Sequence, residues 1–331
     1  MDMLSIGLVI TLLAVLAAEF VNGWTDAPNA IATVVSTGVM TARQAILMAV
    51  IMNTVGAMAG TAVAATVGKG IIVPSALTLP AITATMVAIV SWGVFAARAG
   101  IPVSKSHALL AGLAGAGVAG GGWGALQWSG WEKVGIGLGC SLLAGFFGAF
   151  LLGRTITALA ANAHPNRAKR NFDRAQMASA CFMAFNHGLN DGQKFMGVFA
   201  MTLLAGGATK TFEIPWWVII ACASTMGIGT SFGGWRIIQT VGAKMTRLTS
   251  WQGFAATMAA SSTIFIASAY GIPLSTTHTI TCAVVGVGAS KRLSDIRWGV
   301  LRRIILAWFA TFPVCAAISF AAAKLANYLW S

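Results

Sequence analysis

The chain has 331 residues, 57% hydrophobic and 9% charged, with a formal net charge of +13 and a mean hydropathy of +0.80. Average soluble domains carry about 25% charged residues, so a soluble enzyme is excluded: too few charges exist to cover a water-facing surface. Eight prolines, and 38 glycines without a three-residue period, exclude disorder and collagen-like structure.

The first apolar run covers 3–38 and is interrupted by polar residues near 22–29. Its start, Met3 to Phe20, lacks a basic leader and reads as a first membrane span, not a cleaved signal. Further runs lie at 44–67, 82–97, 105–119 and 134–153. The longest polar gap, 154–176, holds Arg154, Arg167, Lys169, Arg170 and Arg174 and reads as a basic cytoplasmic linker. Beyond it come 177–209, interrupted at 186–194, and then 215–232, 250–268, 276–290 and 304–329. The basic residues lie in the gaps between these runs, which is the pattern of membrane loops and not of a nucleic-acid binder. Five cysteines stand singly in apolar segments, with no CxxC and no zinc spacing, so neither a resident metal nor a cofactor is expected. No His-Glu-x-x-His occurs, and the chain is not expected to be an enzyme.

The two halves repeat. Asn22-Gly23-Trp24-Thr25-Asp26-Ala27-Pro28-Asn29 in the first corresponds to His187-Gly188-Leu189-Asn190-Asp191-Gly192-Gln193-Lys194 in the second. Gly100-Ile101-Pro102-Val103-Ser104-Lys105-Ser106-His107 corresponds to Gly271-Ile272-Pro273-Leu274-Ser275-Thr276-Thr277-His278, with five of the eight positions identical. The glycines that follow match as well, Gly115 with Gly286 and Gly117 with Gly288. The expected fold is an all-α integral membrane protein of two inverted-topology repeats, 1–153 and 177–331, joined by the linker at 154–176. Each repeat is expected to hold one broken transmembrane helix and one re-entrant helical hairpin, 82–119 or 250–290, with its Pro-x-Ser segment at the tip.

With that threading, fourteen basic residues fall on one side, in the gaps around 43, 154–174, 236–247 and 291–303. The other side has Lys69, Lys133, Lys210 and Lys324, and Arg98, Lys105 and Lys194 remain at membrane depth. The richer side is assigned to the cytoplasm, which puts both termini outside. Inverted repeats with broken helices are the signature of secondary transporters, whose substrate site lies near the midplane.

Each ionisable side chain at a helix centre costs at least ~2.5–3.5 kcal/mol, so Glu19, Asp26, Asp191, Lys105 and Lys194 need partners or a wet cavity. Asn22, Gly23 and Pro28 in one half, and Gly188 and Gly192 in the other, are expected to unwind the helix beside each aspartate. Pro102 and Pro273 are expected to end one short helix, and Ser104 and Ser275 to cap the next. Backbone N–H groups there, with the hydroxyls of Ser104, Ser106, Ser275, Thr276 and Thr277, suit a tetrahedral oxyanion. His107 and His278 read as packed residues that orient these loops.

At these residues the chain resembles the Pit/PiT inorganic phosphate transporter family, with its duplicated Gly-x-Asn-Asp-x-x-Asn and Pro-x-Ser-Thr-Thr-His signatures. The resemblance covers both halves. It implies a multi-pass, often dimeric protein of the cytoplasmic membrane, with inorganic phosphate as substrate and H⁺ or Na⁺ as coupling ion. It places substrate contacts at Asp26, Asn29, Ser104, Lys105, Ser106, Asn190, Asp191, Lys194, Ser275, Thr276 and Thr277. Thr25, Lys105 and Lys194 depart from the family pattern. A lysine beside a cation site repels Na⁺, and the Asn-Asp-Gly-Gln-Lys string is similar to the proton-coupled bacterial branch, also credited with carrying phosphate as a metal complex. Asp26, Asp191 and Glu19 are the candidate proton carriers. Lys194 is expected within reach of Asp191 or the anion, in the part that a bound Na⁺ plays elsewhere in the family. That leaves the proton to Asp26 or Glu19, where no lysine lies nearby in sequence; the alternative is that Lys194 only neutralises Asp191. A sulfate permease on the same scaffold and Na⁺-coupled phosphate symport are the alternatives.

Overall fold

The computed structural model describes residues 3–330, which form helices joined by short loops, with one isolated bridge between Ile72 and Leu126. The first half contains α1 (Met3–Ser36), α2 (Ala42–Met58), α3 (Ala62–Gly70), α4 (Leu79–Ala99), α5 (Lys105–Gly121) and α6 (Trp128–Leu159). The second contains α7 (Pro165–His187), a π-helical turn (Gly188–Gly192), α8 (Gln193–Ala205), α9 (Trp216–Ser231), α10 (Trp235–Gln239) with a second π turn (Thr240–Lys244), α11 (Ser250–Ala269), α12 (Thr276–Lys291) and α13 (Trp298–Trp330). Among the described residues, four helices are long and apolar enough to cross a bilayer. Two bent pairs, α2 with α3 and α9 with the α10 segment, could bring the number to six.

The helix breaks are not where composition put them. α1 runs unbroken through Pro28. Proline removes an N–H and so frees the carbonyl four residues earlier; that carbonyl, on Trp24, accepts instead from the Gly234 amide at 3.3 Å. In the second half the chain does not unwind either, but takes five π-helical residues from Gly188 to Gly192. The sharp bends, 65° and 66°, lie at residues 59–61 and 232–234. The expected linker is largely helical: 154–159 completes α6, and 165–176 opens α7.

The two hairpins form as expected. α4 ends at Gly100 and α11 is followed by Gly271, at φ +67° and +64°, the left-handed turn that glycine enters without a Cβ penalty. Ser104 caps α5 by accepting from the His107 amide, and Ser275 caps α12 by accepting from the His278 amide. The last helix of each half covers the hairpin of the other: α5 packs on α13, and α12 packs on α6. The matched glycines permit this close approach, since Gly115 lies against the Ala316 backbone and Gly286 against the Phe146 backbone. Reciprocal pairings of this kind recur, α1 on α4 with α7 on α11, and α4 on α13 with α11 on α6, as a twofold relation between the halves requires.

The hairpins enter from opposite ends. Near one end of α1, the Thr11 hydroxyl meets Thr83 and Leu79 at the base of the first hairpin. Just past its other end, the Thr37 hydroxyl donates to Gln176, which lies against Gly253 at the base of the second. The 26 residues between span about 39 Å of helix, more than the ~30 Å hydrocarbon core. The tips meet between these ends, with the Ser275 hydroxyl 2.8 Å from that of Ser104.

Candidate functional site

The tips and the two aspartates form one buried cluster. Asp26, on α1, binds the Lys105 ammonium at 2.8 Å. It also accepts from Thr277 at 3.3 Å, while the Thr25 hydroxyl, 3.3 Å away, donates to the Val21 carbonyl at 2.7 Å. Asp191, in the π turn, binds the Lys194 ammonium at 2.5 Å and accepts from Thr276 at 2.7 Å. Lys194 reaches further, to the Ser106 hydroxyl at 2.5 Å and the Leu274 carbonyl at 2.7 Å. Asn29 donates to Thr277 at 3.0 Å and to Thr276 at 3.3 Å. Each aspartate therefore holds one ammonium and one threonine of the second hairpin, and all of these side chains are buried.

The lysines reach the aspartates by different routes. Lys194 is on the same helical run as Asp191, three residues on. Lys105 comes from the first hairpin, 79 residues from Asp26. Asp26 thus has a cation that its sequence neighbourhood does not show. Glu19 is different. It is fully buried, accepts from Asn22 at 3.2 Å through one oxygen, and its other oxygen has no partner. Among the described residues it is the one buried carboxylate outside an ion pair.

The remaining expected residues are close by with different duties. The hydroxyls of Ser104 and Ser275 bind each other and cap their helices, and Ser275 also meets His278 Nδ1 at 2.6 Å. Asn190 turns away from the aspartates and donates to Ser268 and to the Ile272 carbonyl, bracing the tip of the second hairpin. His107 and His278 pack ring to ring with centroids 4.4 Å apart, and His278 stacks on Trp308 at 3.7 Å.

Two residues, His187 and Gln193, escape a reading of the sequence as site residues. His187 Nε2 lies 3.3 Å from Asp191, and its Nδ1 meets Asn53 at 3.1 Å; its place one turn before Asp191 was the available signal. Asp26, His187 and Asp191 offer ligand atoms within 4.8 Å of one another, a donor set of one imidazole and two carboxylates that suits a divalent transition metal. Gln193 accepts from the amides of Val63 and Ala64 at 2.8 and 3.4 Å and so caps α3. A Gly-x-Ser-x-Gly string does occur, Gly229 to Gly233, but Ser231 is exposed, its hydroxyl donates to the Ile228 carbonyl, and it sits at a helix end and not between a strand and a helix. It is not a nucleophile elbow.

Residues 22–319 match the model of the Phosphate transporter family. A protein of Bacillus subtilis described as a probable low-affinity inorganic phosphate transporter is 37% identical over the whole of both chains. One of Rhizobium meliloti with the same description is 41% identical over 96% of each chain. Among solved structures, one titled the sodium-dependent phosphate transporter superposes with a TM-score of 0.81 over 97% of this chain and 99% of its own, at 24% identity, and so shows a shared fold. With full-length relatives at this identity and both signatures brought together in one buried cluster, the chain is a multi-pass membrane protein belonging to the phosphate transporter family.

Proposed function

We propose that the protein imports inorganic phosphate across the cytoplasmic membrane by H⁺ symport, with the anion held between the hairpin tips. The observation that carries this reading is the pairing of each buried aspartate with a lysine. In such a pair the place beside the carboxylate where a Na⁺ ion would sit is filled by a tethered ammonium, and a second cation is repelled at that range. Loading the anion shifts Lys105 and Lys194 from the aspartates toward it. Ser106, Thr276, Thr277 and Asn29 add hydrogen bonds. Hydrogen phosphate carries an O–H that Asp26 or Asp191 accepts; fully ionised sulfate has none and meets only repulsion there.

The four charges of the two pairs sum to zero, so hydrogen phosphate brings two uncompensated negative charges into this buried site. Two protons balance it, one on Glu19 and one on an aspartate that its lysine has left for the anion. Glu19 supplies a carrier. Among the described residues it is the buried carboxylate with no ion-pair partner and one orphaned oxygen, and it lies two turns before Asp26 on α1. A second reading, phosphate carried as a neutral complex with a divalent metal, is favoured by the convergence of Asp26, His187 and Asp191. The basic-rich end is placed in the cytoplasm with both termini outside, and the family resemblance supports a homodimer.

The test is phosphate uptake into proteoliposomes with pH and Na⁺ gradients imposed separately, sulfate as competitor, and divalent metal added or chelated. A pH gradient alone should drive accumulation. In Glu19→Gln, pH-driven accumulation should be lost while phosphate exchange at equal pH persists. Uptake driven only by Na⁺, or equal competition by sulfate, would overturn the reading.

A further inference from the structure

The bent pairs carry a matched pair of contacts that the substrate cluster does not use. The Thr66 hydroxyl, on α3, donates to the Gly271 carbonyl at 2.7 Å. The Thr240 hydroxyl, just past α10, donates to the Gly100 carbonyl at 2.8 Å. Gly271 and Gly100 are the left-handed turns at the two hairpin tips. The threonines occupy corresponding places in the second limbs of the two bent pairs, and both are buried. Each hydroxyl also lies near the carbonyl one turn back on its own helix, Ala62 at 3.4 Å and Arg236 at 3.0 Å, but the bond to the tip is the shorter in both cases. A hydroxyl has one proton, so the tip carbonyl takes it.

The two limbs lie toward opposite ends of the molecule. α3 runs toward Lys69, which lines one cleft with Ser129 and Lys133. The α10 segment runs toward Gly242, packed on Ser36, and toward Met245, whose carbonyl accepts from the Arg297 amide. Each limb therefore crosses over a hairpin tip from its own side. Each is also tied to the aspartate-bearing helix of the other half, α3 through Gln193 and the second bend through Trp24. A limb joined to its span at a 65° or 66° bend can swing without disturbing the rest of the helix.

Resting on the transport reading, we infer that Thr66 and Thr240 are the latches of two gates, which close the site toward opposite faces and open in alternation. They are positioning residues: the hydrogen bonds of neither hydroxyl reach Asp26, Asp191, Lys105 or Lys194, and each acts through the tip it holds. With both latches made, the site is occluded. Breaking one favours opening toward that limb's face.

The test uses the full-length protein in lipid nanodiscs and in oriented proteoliposomes. Thr66→Val and Thr240→Val remove one hydroxyl each at nearly constant shape. Amide hydrogen exchange over 62–70 should quicken about fivefold in Thr66→Val, the equilibrium worth of one neutral hydrogen bond, and exchange over 235–244 should stay as in the unmodified protein. Thr240→Val should show the reverse. The ratio of phosphate KM values for influx and efflux should move in opposite directions in the two variants, and Thr66→Ser and Thr240→Ser should restore both readouts. Unchanged exchange in both valine variants, or loosening of both limbs by either one, overturns the latches. Phosphate uptake by the unmodified protein is measured alongside. If that protein moves no phosphate while each limb responds as described, the transport reading fails and the separate control of the two limbs stands.

Discussion

Lys194 and Asp191 form a pair that neither member can leave cheaply. Removing one partner of a buried pair typically costs 3–5 kcal/mol, on the order of a domain's whole margin, because the other charge is stranded. Lys194→Ala should therefore lower the thermal denaturation midpoint in detergent strongly, and the Lys194→Ala, Asp191→Ala double variant should be more stable than the single one. Lys194→Asn leaves Asp191 open to a mobile cation, and Na⁺ stimulation of uptake is the expected outcome. At Ser275 the effect should fall on stability. Its hydroxyl is engaged by the His278 amide and ring and by Ser104, so Ser275→Ala should cost about 0.5–2 kcal/mol, the worth of an N-cap. Asp26, Asp191, Lys194 and the tip hydroxyls were legible because the repeat singled them out. The Lys105–Asp26 pair was not, since 79 residues separate its members and only the meeting of hairpin and helix joins them. The isolation of Glu19 was equally hidden, as an orphaned oxygen is a property of the packing around it.

α3 is nine residues long, and its own N-cap, Thr61, makes no capping bond. Gln193 fills that role from the far half. Gln193→Ala should uncover two buried amides and raise exchange at the start of α3, with little change at α10. The exposed end of α7 should behave differently. There Lys169, as a hydrogen-bond donor and nearby charge, holds the Asp173 carboxyl below its ordinary range. A lowered carboxyl contributes stability above the unfolded-state value and loses it as pH falls through the folded one. The pair is solvent-screened and worth at most a few tenths of a kcal/mol, so Asp173→Asn should leave uptake and the denaturation midpoint near those of the unmodified protein. Apolar runs gave most helices to within a few residues. They missed the bend at 59–61 because composition stays apolar through Gly60. They also missed the bend at 232–234, where the apolar run was only read as ending, although the Gly233-Gly234 pair is a turn signal. The continuity of α1 through Pro28 depends on a donor from Gly234, which no local pattern shows.

Across the molecule, members of the two charge groups read from sequence lie toward opposite ends of the fold, although Arg236, counted with the richer group, sits at the first hairpin tip with its guanidinium on the Arg98 carbonyl. Lys69 and Lys133 line one cleft, while Arg297 follows the Met245 carbonyl at the other end. In oriented vesicles, single cysteines at Lys69 and Arg297, placed in a background without native cysteines, should react with a membrane-impermeant maleimide from opposite faces. Reaction from one face would exclude inverted hairpins. The repeat and its broad symmetry were legible in four short strings, whereas the exchange of final helices was not, because α5 and α6 adjoin in the chain yet pack on different partners.

That exchange has a consequence for biogenesis. α5 has its main partner in α13, which begins at Trp298, 177 residues after α5 ends at Gly121. At about 5–20 residues per second, the ribosome delivers that partner roughly ten to thirty-five seconds late. Until then the first hairpin must wait in the membrane with its glycine-bearing face uncovered, and α6 waits likewise for α12. Neither half can finish its own core. Separately expressed halves cut between Ala160 and His164 should be degraded singly and should accumulate when made together.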